Sequence, residues 1–145
     1  MSISSVYNTK ILEYARKINC SRKLEFPDGI GRAHSKLCGS TVSVQIKVDN
    51  GLVSDYAHDV KACALGKASA SIFSFCVVDS SLDDLISLRK KMDSMLQKNG
   101  ILPEGKFCDF KFLEPVRDYP VRHPSVLLVF DATIEALQQA LSHKG

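Results

Sequence analysis

Five thiols, Cys20, Cys38, Cys63, Cys76 and Cys108, are the residues of this 145-residue chain best suited to chemistry. A thiolate binds soft metal ions or attacks sulfur, so the question is which thiols ionise and which meet. Cys63 lies in HDVKACALGKAS, between two alanines, at the expected junction of a strand and a helix. Helix N-termini carry partial positive charge, which favours a thiolate, and Lys61 and Lys67 lie nearby in sequence. The alternative for Cys63 is a small buried hydrophobe, the common fate of a free cysteine. That alternative is the stronger one for Cys20, for Cys76 on an apolar helix face, and for Cys108 among Phe107, Phe110 and Phe112. The odd count, wide spacing and lack of a CxxC motif argue against a disulfide framework and leave catalytic, metal-binding or buried thiols.

The other candidate groups carry less. His34, His58, His123 and His143 show no HxxxH spacing. His123, in VRHPSV, precedes the last expected helix and could be a ligand; taken alone it reads as a surface or capping residue. Ser40 follows Cys38 by two residues and would share its side of a strand.

The elements that must position these groups follow from periodicity. Tyr7, Ile11, Tyr14, Ala15 and Ile18 predict an amphipathic helix over residues 5–19, with Ser5 as N-cap. Residues 20–33 contain Pro27, Gly29 and Gly31 and read mostly as loop, with a strand beginning around His34–Leu37. Val42, Val44, Ile46 and Val48 alternate with polar residues, a half-buried strand. Asn50-Gly51 then predicts a tight hairpin turn and a return strand to about Val60. Carried unbroken from a two-residue turn, the ladder puts Cys38 opposite Cys63, with Cβ atoms about 5 Å apart. A three-residue loop would put Ala62 there instead, and Gly39 could add a bulge. Either way, the two thiols are expected near each other at the open end of the hairpin.

A helix over Leu65–Val78 follows, with the small run Ala68, Ser69, Ala70, Ser71. Ser81 and Asp84 have capping-box spacing for the next helix, which Asn99-Gly100 ends. Residues 101–125 are punctuated by five-way Pro and Gly breaks at Pro103, Gly105, Pro115, Pro120 and Pro124, and a last helix is expected over Ser125–Ser142. The fold class is α+β: a small antiparallel sheet of about three strands with helices packed on one face, in one domain spanning 1–145.

Composition bounds the function. A formal charge of +3 is too mild to argue for nucleic acid. No apolar run approaches the ~18 residues needed to span a membrane, and MSISSVYNTK lacks an apolar signal core. The expectation is a soluble, cytoplasmic protein.

The stretch LCGSTVSVQIKVDNGLVSDYAHDVKACALGKASAS, with FLEPVRDYPVRHPSVLLVFDATIEALQQAL, resembles the U-type iron–sulfur cluster scaffold family of NifU-like, IscU-like and SufU-like proteins. The resemblance implies an IscU/SufE-like fold and a scaffold rather than an enzyme. It implies an Fe–S cluster or iron as cargo, or zinc in the isolated protein. It also implies a cysteine desulfurase and Fe–S recipient proteins as partners. By position, Cys38 matches the first ligand cysteine and Cys63 the second, and Ser40 stands where the family has Asp. The third ligand cysteine is absent. A gapless match through EPVRDYPVR puts its position at Ser125; matching the histidine-cysteine pair of the IscU branch puts it at Pro124, with His123 at the histidine.

Clusters want about four thiolates, with His replacing some; structural zinc wants four N or S ligands. Cys38, Cys63 and His123 could form a weak metal site, or half of a site shared in a homodimer, or one completed by an external thiol. Three readings stand: a scaffold or carrier using Cys38 and Cys63; a sulfur-transfer protein accepting persulfide on Cys63; and an interaction module whose thiols are structural.

Overall fold

The computed structural model describes residues 9–17, 23–36, 39–98, 100 and 102–144. The elements run α1 (Thr9–Lys17), β1 (Gly29–His34), β2 (Thr41–Asp49), β3 (Leu52–Lys61), α2 (Ala64–Cys76), α3 (Leu82–Lys98), a 3₁₀ segment (Gly105–Asp118), a 3₁₀ turn (Pro120–Arg122) and α4 (His123–Lys144). The three strands form one antiparallel sheet in the order β1-β2-β3. The expected α+β architecture is therefore the observed one. The N-cap assigned to Ser5 lies outside the described residues.

Asn50 and Gly51 both have positive φ, 53° and 79°, as the tight primed turn of a hairpin requires. The ladder that follows is interrupted. Val48 pairs with Val53, but Lys47 pairs with Asp55, leaving Ser54 as an extra residue on β3. This corrects the unbroken register. The physical reason lies in the side chains. Val42, Val44, Ile46 and Val48 all face the core. An unbroken ladder would bring Asp55 and Asp59 onto that face, where unpaired carboxylates are costly. The bulge flips the parity, so Tyr56, His58 and Val60 point inward and Asp59 points outward.

The second correction concerns Gly29 and Gly31. They read as loop residues, yet they are the buried positions of β1. Ala132, Ala136 and Ala140 form a ridge of fully buried small residues at four-residue spacing along α4. A Cβ on Gly29 would lie 2.0 Å from the Ala136 carbonyl oxygen, and one on Gly31 would lie 1.9 Å from that of Ala132. The glycines are there because strand and helix backbones approach to near contact. β1 consequently ends at His34 rather than beginning there.

Other elements match their local signals more closely. Ser81 and Asp84 form the reciprocal capping box, with N–H···O distances of 2.9 and 3.1 Å. Helix α3 buries Leu85, Leu88, Met92, Met95 and Leu96, and Arg89 on it pairs with Asp131 of α4 at 3.0 Å. The last helix starts at His123, two residues earlier than expected. The proline-punctuated stretch is 3₁₀ helix, and its buried residues Phe110, Leu113 and Val116 recur every third position, as three residues per turn demands.

Gly31→Ala should destabilise the protein by at least about 2 kcal/mol in urea unfolding, because a main-chain carbonyl cannot rotate away from the added methyl. Gly51→Ala, which meets open space at positive φ, should cost only about 1 kcal/mol. Equal, small losses at both positions would contradict the close approach of β1 and α4.

Candidate functional site

The sheet delivers two chain segments to one end. Thr41 opens β2 opposite Lys61, which closes β3. Before Thr41 the chain folds on itself: the Ser35 N–H donates to the Ser40 carbonyl (2.9 Å) and the Gly39 N–H to the Ser35 carbonyl (2.9 Å). Gly39 adopts φ +69°, and Ser40 is buried. Cys38 lies outside the described residues, and so does its expected meeting with Cys63. Its sequence neighbours Gly39 and Ser40 leave the sheet at the same end as Ala62 and Cys63.

Cys63 is the N-cap of α2, with extended φ −68° and ψ 174°. Its carbonyl accepts the Lys67 N–H at 2.9 Å, closing the first helical turn. Its side chain makes no capping hydrogen bond, so the sulfur is not occupied by that role. The thiol is free and half-buried. The expected strand–helix junction at Cys63 is what the fold contains.

The small residues after Cys63 have a clear use. A Cβ on Gly66 would lie 2.7 Å from the Ala62 Cβ and 3.4 Å from the Ser125 carbonyl oxygen. Ser69 donates its hydroxyl hydrogen to the Val126 carbonyl at 2.7 Å. The first turns of α2 therefore press directly on the start of α4. Ser125, one of the two positions matched to the absent third ligand, is buried against the helix that Cys63 opens.

His123 is turned elsewhere. Its Nε2–H donates to the carbonyls of Val116 (3.0 Å) and Arg117 (3.2 Å), tying the 3₁₀ segment to the start of α4. Carbonyls only accept, so the proton sits on Nε2, and Nδ1 is the ring nitrogen with a lone pair to offer a metal. His123 and Pro124 line a cleft of about 810 Å³ with His34, Arg89, Arg117 and Asp131, and Cys63 is not part of its lining. Among the described residues, no three His, Cys, Asp or Glu side chains converge on a metal-binding position.

Cys20, expected to be buried, lies outside the described residues; the two other described thiols divide. Cys76 is half-buried and donates to the Ile72 carbonyl at 3.2 Å; burial pushes its pKa up to about 12. Cys108 was expected among buried phenylalanines but is exposed. The three-residue period explains this: Phe107, Phe110, Leu113 and Val116 share the inner side, and Cys108 falls one step off it. That spacing was readable in KFCDFKFLEPV. His58 is buried and bonds the Tyr56 hydroxyl through Nδ1 at 2.8 Å. Burial holds that phenol protonated, far above its usual range, and the pair is part of the core.

Replacing His123 by Ala leaves two carbonyls without their shared donor. We expect the metal-free variant to lose about 1–3 kcal/mol of stability. Unchanged stability in denaturant titration would contradict a tethering role.

Residues 6–110 match the family described as NifU-like N terminal domain. The chain is 24% identical over 139 residues to the Thermotoga maritima protein named "Iron-sulfur cluster assembly scaffold protein IscU", covering 96% of this chain and 97% of that one. It is 24% identical over 85 residues to the Bacillus subtilis "Zinc-dependent sulfurtransferase SufU", covering 59% and 58%. A crystal structure of a "Nitrogen-fixing NifU-like protein (N-terminal)" from Brucella abortus superposes with a TM-score of 0.92 at 47% identity, covering 97% of each chain. The family match takes in β1–β3, the thiol-bearing junction and all of α2 and α3. With the same fold recurring over nearly the full length, the chain belongs to the NifU-like N-terminal domain family.

Proposed function

We propose that this chain is an iron–sulfur cluster assembly scaffold or carrier in the cytoplasm, holding iron or a nascent cluster as cargo through the thiolates of Cys38 and Cys63. The observation that carries this reading is the junction at Cys63. There, a thiol released from capping duty stands at a helix start, at the sheet end where the segment bearing Cys38 also emerges. The names of the relatives, iron–sulfur scaffolds among them, fit the same role.

Two thiolates are half of the usual cluster ligand set. Ser125 offers only a neutral hydroxyl and Pro124 no donor side chain, so neither replaces the missing thiolate. His123 keeps Nδ1 as a donor nitrogen but lines a cleft apart from Cys63, so it serves as a third donor only if the start of α4 shifts toward the thiols; Ser40 is a neighbour that hydrogen-bonds rather than ligates. The remaining positions are filled by a second copy of the chain or by an external thiol. Sulfur arrives from a cysteine desulfurase, and the assembled cluster leaves to recipient proteins.

Reconstitution with ferrous iron and sulfide under anaerobic, reducing conditions should give visible charge-transfer absorbance in the wild type. Cys38→Ser and Cys63→Ser should each abolish it. Absorbance that survives in both variants would defeat the reading.

A second reading rests on the relative named a sulfurtransferase: Cys63 accepts persulfide sulfur from the desulfurase. It needs one thiolate, so the absent third cysteine leaves it intact. Incubation with a desulfurase and labelled cysteine should then leave label on Cys63, lost in Cys63→Ala; an unlabelled wild type would exclude it.

A further inference from the structure

We propose that Cys108 and Cys76 form a second thiol pair, a redox modification site that reacts with low-molecular-mass disulfides of the glutathione type. The site is separate from the Cys63 junction and does not depend on the scaffold reading. The end of α2 and the start of the 3₁₀ segment are fastened together at the residues flanking both thiols. Tyr14 of α1 stacks against Phe75 at a centroid distance of 6.2 Å and donates its hydroxyl hydrogen to the Asp109 carboxylate. Phe75 precedes Cys76 and Asp109 follows Cys108. Lys106 donates to the Val78 carbonyl at 3.1 Å, two residues beyond Cys76. These three contacts bracket the two cysteines, joining residues 75 and 78 to residues 109 and 106 by way of Tyr14 and the Lys106 side chain.

The two thiols differ in the way a staged reaction needs. Cys108 is exposed, in the run KFCDFKF with Lys106 and Lys111 on either side. Those ammonium groups favour an anionic disulfide such as oxidised glutathione; the Asp109 carboxylate, which accepts from the Cys108 thiol at 3.7 Å, opposes them in part. Cys76 is half-buried with its S–H turned back onto helix carbonyls.

The Cys108 thiolate attacks one sulfur of glutathione disulfide; that S–S bond breaks, one glutathione thiolate leaves and takes up a proton, and Cys108 becomes a mixed disulfide. The Cys76 thiolate then attacks the Cys108 sulfur and expels the second glutathione. Two protein thiols are oxidised by two electrons, and one small disulfide is reduced to two thiols. The groups facing Cys76 are Tyr14 from α1, Tyr56 from β3, and Lys106, Cys108 and Asp109 from the 3₁₀ segment. Of these, Lys106 favours the thiolate, while burial, Asp109 and Cys108 oppose it. The second step is therefore the slow one. It should accelerate about tenfold per pH unit between about pH 7 and pH 9, because the reactive thiolate fraction grows by that factor well below the pKa.

The test uses the full chain with oxidised glutathione, quenched by acid at intervals and mapped by tryptic peptide mass. A glutathione adduct on peptide 107–111 should appear first, followed by its crosslink to peptide 68–89. Cys76→Ala should stop at the Cys108 adduct, and Cys108→Ser should leave Cys76 unmodified, with far-UV circular dichroism confirming that both variants fold. A crosslink from Cys108 to another cysteine, an adduct that never resolves onto Cys76 up to pH 9, or a second step independent of pH would each overturn the proposal.

Discussion

The site depends on how closely β1 lies against α4. Two glycines face a ridge of three alanines, and the backbones meet with no side chain between them. This contact holds the 22-residue helix α4 across the sheet. Its start is then carried to the first turns of α2, where Gly66 and Ser69 receive it. A larger residue at Gly31 would push α4 outward and separate its start from the Cys63 helix. Close packing of small residues is thus what joins a strand at one edge of the sheet to a thiol beyond the other.

The β3 bulge is the complementary constraint. It keeps Asp55 and Asp59 off the buried face and brings Tyr56 and His58 onto it. In doing so it shifts the frame in which β3 leaves the sheet. Cys63 therefore does not follow from an idealised ladder. It emerges after Lys61 opposite Thr41, beside the chain that returns from the Ser35–Ser40 turn. The core requirement and the position of the thiol are one geometric fact.

Much of this was legible in local residue patterns. Alternating valines announced β2, Asn50-Gly51 its turn, and Ser81 with Asp84 the start of α3. These signals act within a few residues and need no tertiary partner. What was not legible depends on distant chain. Gly29 and Gly31 look like loop residues until the alanines a hundred positions later are set against them. The bulge follows only once the inward face of β2 is matched to the carboxylates of β3. His123 reads from sequence as a surface or capping residue, and its buried tie to the carbonyls of Val116 and Arg117 shows only in the fold. Cys108 reads as buried from its neighbours Phe107, Phe110 and Phe112, and it falls outside once the three-residue period of the 3₁₀ segment is applied.

The proposed chemistry places Cys38 and Cys63 as the ligand thiols of a chain in which Pro124 or Ser125 stands where the resemblance expects a third cysteine. A half-set of thiolates suits cargo that must be released, since each missing ligand is a place for exchange. The most direct test is iron K-edge X-ray absorption on the anaerobically iron-loaded protein. Iron held by Cys38 and Cys63 should show sulfur scatterers in the first shell of the wild type, reduced in Cys63→Ser. A first shell of oxygen and nitrogen alone, identical in wild type and variant, would contradict it.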